Sequence, residues 1–577
     1  MSDKLTGLFE GMVEMLDSAE IADWSDISEL LVSIRGRNAA SGPNAFDGAL
    51  GFLTFDYGID GVSIEMAKYA RSFEKMRSEA GLAPDDIHFI GGDFHDKAEA
   101  VLLPRWKRFH IPDINGWSKW SEGKWFAKLY YEDMPSGSQV SREMAVEMWR
   151  QAVGFAKKLG AYVAEKNITF LFPVNINSNP GNFAVTLANI LVTEAMGLPV
   201  LNSNHDFYWE GGAPAAERAK TGESGPRDHF FKNMDNGEFF SLFKIIYPWN
   251  GPRWAQVNIN QRQSEVLNEE FGFPKDALFE LSTTVSDDFF EEYGWDAVER
   301  ARKAMMRILS DGEPVVSPVP VDEHLASLTE WMANQKPVAC AARGGLELDT
   351  AKPEVVYCLQ PTRVVARKRI EMDLEVLGAL ARRPRFQKEF ADPARKLVLH
   401  ITGPVPKEHQ HDLERVLNAY KDMASGLPAE LADRFFIAFS VGTEDHPSLE
   451  PAGLKRLRIE DIYRMATVIL FPSETEGRGL PIIESSACGV PIVCSRYYPE
   501  DVFKEVVGED LPPELQIQYT LFPEGDYSDE FLDEVCELMF SDRKALERIE
   551  HNKNAVAKRY GSGVLVGTFK DALRFLG

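Results

Sequence analysis

The sequence predicts an α/β protein of two doubly wound domains, each a mostly parallel sheet wrapped by helices, facing one another across a cleft. Three observations carry that expectation. The chain has 577 residues, more than one hydrophobic core organises. Short apolar runs alternate with longer amphipathic ones, as βαβ units require. The series then halts in a loop-prone stretch at about residues 311 to 354 and starts again.

Residues 1–45 read as an N-terminal helical extension. In residues 46–339 the candidate strands are LGFLTF, DIHFIGG, ITFLFPVNI, LPVLNSN, FKIIYP, AQVNIN and ALFELS. Between them, GVSIEMAKYARSFEKMRSEAG and REMAVEMWRQAVGFAKKLGAYVAEKN have the 3.6-residue period of helices. The segments DGEPVVSPVPVDEH and NQKPVACAARGGLELDTAKPE mark the linker, which puts the domain change near residue 340. Residues 340–559 then give VVYCLQ, LVLHITG, FFIAFS, VILFPS and PIVCS. The last stretch, about 560–577, is helical and completes the first domain. In such sheets ligands bind beyond the carboxyl ends of the strands.

Composition narrows the function. Apolar residues are 44% and charged residues 26% of the chain, ordinary for a water-soluble protein. No run approaches the ~18 apolar residues of a spanning helix, and the start shows no secretion signal, so stable membrane insertion is not expected. The five cysteines, all beyond residue 339, have neither zinc nor redox spacing, which fits a reduced cytoplasm. A net charge of −26 repels nucleic acid and anionic lipid. The exception is a basic island between Arg363 and Lys388, suited to a small anion such as phosphate, or else a solvated helix face.

The most informative stretch is FPSETEGRGLPIIESSACGVPIVCS, residues 471–495. ATVILFPS reads as a buried strand. GLPIIESSAC reads as a helix with Pro481 in its first turn and Gly489 beyond its end. Glu476 therefore lies in the loop at a strand's carboxyl end, and Glu484 about one turn into the helix. The amides of Gly479 and Leu480 lie at the helix start, where free N–H groups attract an anion. Carboxylates accept hydrogen bonds from hydroxyls, so the pair beside an anion socket suits a ligand carrying both hydroxyls and phosphate. A capping and a salt-bridged carboxylate would be the bland reading. Arg363 and Lys368, in CLQPTRVVARKRI, add cations at a neighbouring strand end, where they would stabilise a leaving diphosphate. LHITGP ends a strand in Gly403, which permits close backbone approach.

In that order, Arg363, Lys368, Gly403, Glu476 and Glu484 closely resemble glycosyltransferase family 4, retaining enzymes of GT-B fold. The likeness extends to FDYGIDGVSIEMAKYA as a glycine loop and NSNHDFYWE as a His-containing strand end. HDFYWEGG also resembles, more weakly, members that make sugar–glycerate-type solutes. The resemblance implies that Glu476 contacts donor-sugar hydroxyls, Glu484 holds the ribose, and Arg363, Lys368 and the backbone at Gly479 and Leu480 bind the diphosphate. It implies that Gly58, Ile59, Asp60 and Gly61 close over diphosphate and acceptor, with His205, beside Asp206, near the reacting carbon. A leaving phosphate oxygen would take the acceptor's proton, so the glutamates are not a hydrolase pair. Arg478 stands where the family commonly has an aromatic residue; it either adds charge near the donor or points to solvent.

Asn177, Asn179 and Asn182 surround Pro180 and Gly181, as a helix cap or as amide donors to a polar acceptor. His409 and His411 in KEHQHD read as surface residues. The acidic pairs at 85–86 and 287–288 make poor metal sites, and no metal or cofactor is expected beyond the nucleotide-sugar co-substrate. The expected partners are a nucleotide-sugar donor and a small soluble acceptor, hydroxylated or phosphorylated; whether the chain forms a homo-oligomer is open. Rival readings are a nucleotide-sugar epimerase, a glycoside phosphorylase, or an inactive sugar-nucleotide-binding protein.

Overall fold

The computed structural model describes residues 2–577 except 59, 85, 96–97, 100, 115–127, 130–131, 211–232, 234, 282–283, 317–326, 349–354, 406–408, 443 and 543–546. The chain divides into two compact units, Met1–Thr284 with Ser562–Gly577, and Val285–Gly561.

The first unit is built on Ala49–Leu53 (β1), Ile87–Gly91 (β2), Lys107–His110 (β3), Ile168–Pro173 (β4), Val200–Asn204 (β5), Trp254–Asn258 (β6) and Leu278–Glu280 (β7). They pair in the order β3-β2-β1-β4-β5-β6-β7, all parallel. β1, β2, β4, β5 and β6 are buried on both faces, which is why each reads as a nearly continuous apolar run. β3, by contrast, is mostly exposed and spells KRFH, so no apolar signal announced it.

The helices Ser2–Ser18 (α1), Trp24–Ile34 (α2), Gly61–Glu79 (α3), Gln139–Glu165 (α4), Phe183–Met196 (α5) and Gly237–Ile246 (α6) follow in chain order. The first two belong to the core of this unit. Trp24 is fully buried, packs edge-on against Phe183 and Phe239, and donates from Nε1 to Ser141 Oγ at 3.0 Å. Asp23 caps α2 in a reciprocal box with Asp26. FKIIYP, expected as a strand, is instead the end of α6. Asn236 caps that helix, and Phe239, Leu242, Phe243 and Ile246 share its buried face at helical spacing. Ser562–Leu576 packs Leu565, Phe569 and Ala572 into the same unit.

The second unit holds Val338–Ala341 (β8), Val355–Gln360 (β9), Lys396–Thr402 (β10), Phe435–Ser440 (β11), Val468–Phe471 (β12), Ile492–Cys494 (β13) and Thr520–Leu521 (β14). Their order is β8-β11-β10-β9-β12-β13-β14, with only the edge strand β8 antiparallel. Its helices include Trp295–Leu309 (α7), Glu371–Leu380 (α8), Gln410–Ser425 (α9), Ile459–Met465 (α10), Leu480–Ala487 (α11), Glu500–Val507 (α12), Asp529–Phe540 (α13) and Glu547–Tyr560 (α14). The sequence reading put the domain change near residue 340, whereas the units divide at Thr284 and Val285. α7 buries Met305, Ile308 and Leu309 in the second unit's core, and Arg302 donates to the Met465 carbonyl at 2.7 Å. β8 lies inside the stretch read as linker; residues 317–326 and 349–354 of that stretch fall outside the described residues.

Among the parallel strands, each order reverses direction once, between β1 and β4 and between β9 and β12. At such a point the loops leaving adjacent strands diverge to opposite faces and open a crevice at the carboxyl edge. In the second unit, Arg363 follows β9 and Glu476 follows β12.

Candidate active site

β9 and β12 pair in parallel, Cys358 with Val468 and Leu359 with Ile469, so the two loops leave the sheet abreast. The first forms a short 3₁₀ turn, Ala366–Lys368, closed by Arg369 in the left-handed region at φ 50°. The second runs past Glu476 into α11. Lys368 Nζ is ion-paired with Glu476 Oε1. Arg367, next in line, donates to the Thr475 carbonyl at 2.6 Å and stands 3.9 Å from Glu476 Oε2. Backbone bonds fix the approach: Glu474 N donates to Arg367 O, and Glu476 N to Tyr498 O.

The charges follow from burial and pairing. Desolvation pulls the Lys368 ammonium down to about 8, opposed by Glu476 and reinforced by Arg367 and Arg363. Burial works to raise the Glu476 carboxyl, but Lys368 and Arg367 outweigh it and hold it below the ordinary range. Arg363 lies close enough to act on Lys368.

Gly403 directly follows β10 and lies against the Thr362–Arg363 backbone. A Cβ there would lie 2.9 Å from Arg363 N and Thr362 C, and its φ of 146° disfavours any side chain. Its smallness lets the loop carrying Arg363 lie flat against the neighbouring strand end.

Gly479 caps α11 at φ 72°, with a Cβ position 2.3 Å from the Tyr497 hydroxyl, which donates to Arg478 O. Leu480 is the first helical residue and Pro481 the second. Glu484 acts, after burial, as the next largest influence raising the Tyr463 hydroxyl, and Glu476 acts on the same group. The charges of both glutamates thus add to the effect of burial on one tyrosine of α10. Arg478 points neither to solvent nor along the loop: it is buried, donates to Glu505 at 2.5 Å and lies over the Tyr560 ring. Tyr560 and Glu505 keep its guanidinium charged against the cost of burial.

The basic island divides in two. Arg363, Arg367 and Lys368 occupy the strand ends, while Arg383 pairs with Asp529 and Asp533 and Arg385 with Glu537, clamping α13.

In the first unit, the loops after β1, β4 and β5 carry the other candidates. Asp60 caps α3, accepting from Ser63 N at 2.9 Å, and Ser63 Oγ accepts from Gly58 N. Gly61 opens the helix, and a Cβ there meets nothing within 4 Å. Ile59 lies outside the described residues. His205 follows β5, its backbone N–H held by Asn175 Oδ1 at 2.8 Å. Burial pushes its imidazole down to about 4 against the pull of Asp206 and Asp60, while Lys68 adds to the push. The ring is therefore neutral near pH 7, and its Nε2 is buried without a hydrogen-bond partner among the described residues. Asn182 holds the N-cap position of α5 without capping it, and donates instead to Asp113 O. Asn177 is buried and bonds Asn189 and the Ile246 carbonyl; half-buried Asn179 closes the turn through backbone bonds to Asn175 and Gly181.

Sequence reasoning passed over Asn175, Tyr463 and Arg367. Only Arg367 had a signal, its place in the basic run. His409 and His411 sit at the start of α9 beside Asp412. Asp85 is outside the described residues, and Asp288 pairs with Arg458.

Two doubly wound α/β sheets, parallel but for the edge strand β8, give a GT-B architecture, and residues 445–541 match the profile of the family Glycosyl transferases group 1. That segment contains Glu476, Arg478, Gly479, Leu480 and Glu484. The D-inositol 3-phosphate glycosyltransferase of Xylanimonas cellulosilytica is 31% identical over 151 residues, 26% of this chain and 33% of that relative. The O-antigen chain mannosyltransferase B of Escherichia coli is 46% identical over 48 residues, 8% of this chain and 12% of its own. The matches thus span a third or less of those relatives. A solved glycosyltransferase from Rickettsia africae superposes with a TM-score of 0.50 at 12% identity, covering 92% of this chain and 99% of that one. No helix among the described residues is long and apolar enough to cross a membrane.

Proposed function

We propose that the chain is a retaining glycosyltransferase, family 4-like, that moves a sugar from a nucleotide-diphosphate donor to a small soluble acceptor, hydroxylated or phosphorylated, in the cytoplasm. The observation that carries this reading is the meeting of Lys368 and Glu476 at the switch point of the second unit's sheet.

Departure of the sugar leaves negative charge on the diphosphate. A cation fixed where that charge grows lowers the barrier without reorganising at the moment of reaction. In this reading Lys368 and Arg363 supply the cations, and the Gly479 and Leu480 amides add the positive end of α11. Glu476 accepts hydrogen bonds from sugar hydroxyls and Glu484 from the ribose. A donor phosphate oxygen takes the acceptor proton, so no protein base is assigned. His205, neutral at pH 7, Asp60 and Asp206 are the acceptor-side groups in this reading, together with Gly58, Gly61 and Asn179.

Thermal-shift measurements with a panel of uridine, guanosine and adenosine diphosphate sugars test the reading. Mass spectrometry of products with hydroxylated and phosphorylated acceptors completes the test. A stabilising donor and a glycosylated product support it. Conversion of the nucleotide sugar without acceptor, consumption of orthophosphate, or binding without turnover refutes it.

A further inference from the structure

His409, His411 and Asp412 take no part in the chemistry above, yet Asp412 reaches the basic turn. Asp412, in the first turn of α9, is 1% exposed. Its Oδ2 accepts a hydrogen bond from Ala366 N at 3.0 Å, the first amide of the turn ending in Lys368. The same oxygen meets His409 Nδ1 at 2.7 Å. Arg415 Nη2 lies 3.3 Å from Oδ1, and its Nε lies 3.4 Å from Glu371, the first residue of α8. One helix therefore braces both flanks of the turn: Asp412 where it begins, and Arg415 through Glu371 just beyond its end.

We infer that Asp412 is a positioning residue, oriented by His409, that fixes the Ala366–Lys368 turn so that Lys368 meets the donor diphosphate. The inference rests on the proposed donor reading. A backbone N–H in a half-buried turn needs an acceptor, and a carboxylate is a stronger one than a neutral group. Of the turn's other backbone bonds, Lys368 N to Val365 O and Arg369 N to Ala366 O are internal, and Glu474 N holds Arg367 O from the loop after β12, whereas Asp412 holds the opening amide. Without Asp412 the ammonium keeps its charge and its Glu476 partner, but the opening of the turn is released and Lys368 shifts with it. A misplacement of about 1 Å at a reacting group costs on the order of 100-fold in rate.

The test is a double-mutant cycle on nucleotide-diphosphate affinity, measured by calorimetry with UDP, GDP and ADP. Asp412→Ala weakens binding of the diphosphate that the wild type prefers by about tenfold, the loss expected for one buried polar partner. Asp412→Asn, whose amide oxygen still accepts from Ala366 N, stays within about threefold. In the Lys368→Met background Asp412→Ala costs less than about twofold, because the group it positions is gone. Hydrogen exchange at Ala366 to Arg369 quickens in Asp412→Ala, with the melting temperature reporting the fold. Should Asp412→Ala not fold, His409→Ala, at a part-exposed position, carries the same cycle with a loss of about twofold to threefold. Unchanged affinity in Asp412→Ala, or losses that add fully to those of Lys368→Met, overturns the inference. A wild type that binds none of the three diphosphates overturns the donor reading itself, and the inference with it.

Discussion

The Lys368 ammonium, in the turn after β9, and the Glu476 carboxylate, in the loop after β12, form an ion pair whose side chains are 8% and 11% exposed. Burying two charges costs nearly what their attraction returns, so such a pair contributes little net stability. Its position at the switch point, with the ammonium's proton affinity lowered, is what the proposed role in donor binding rests on.

Lys368→Ala should remove about 2–4 kcal/mol of transition-state stabilisation, on the order of 30-fold to 1,000-fold in turnover. It should also lower the melting temperature, because Glu476 is left buried without its main partner. Steady-state kinetics and a thermal melt check both. Unchanged turnover would remove Lys368 from the mechanism.

The pH profile of kcat/KM should fall on the alkaline side with an inflection at about 8, where free-protein Lys368 loses its proton. Lys368→Arg should move that limb upward, since a guanidinium stays charged. The stability sign differs. Between about 8 and the ordinary value of 10.5 the unfolded chain holds a proton that the folded one has released, so this lysine makes stability rise with pH there. Glu476, with its carboxyl held low, contributes stability that is present above the ordinary glutamate value of 4.5 and lost as pH falls. Neutral His205 titrates near 4 and should add no limb between pH 6 and 7.

Gly403→Ala should lower both melting temperature and donor affinity, since a Cβ at φ 146° meets the Thr362–Arg363 backbone at 2.9 Å. Gly61→Ala should leave the melting temperature unchanged within error, as its Cβ meets nothing within 4 Å. If Gly61 admits substrate, activity alone falls. Parallel melts and assays separate the two cases.

Glu484→Ala should raise the donor KM and leave kcat near its wild-type value, because a ribose contact is made equally in ground and transition states. A normal donor KM would contradict the ribose assignment.

Much of this was legible in the sequence because sheets buried on both faces write themselves as apolar runs. β1, β4, β9, β10 and β12 stood out for that reason. β3 did not, being an exposed edge. FKIIYP misled because a buried helix end and a strand share the same short apolar text; only the Asn236 cap and the wider spacing from Phe239 to Ile246 separate them. At the site, Gly403 and Gly479 were visible as glycines at element ends, and both have the backbone geometry that demands one. The inward turn of Arg478 was not visible. Its partners, Glu505 and Tyr560, are brought to it only by the packing of α12 and α14. Asp412 was hidden likewise, 46 residues from the amide it holds.

The central claim is transfer of a sugar from a nucleotide diphosphate with its configuration kept. It is tested most directly by following anomeric-proton NMR signals while the protein acts on its best-stabilising nucleotide sugar and an acceptor. The account predicts a glycosidic signal of the donor's own anomeric configuration, growing in step with released nucleotide diphosphate. An inverted product, or a nucleotide sugar left unconsumed with every acceptor, would contradict it.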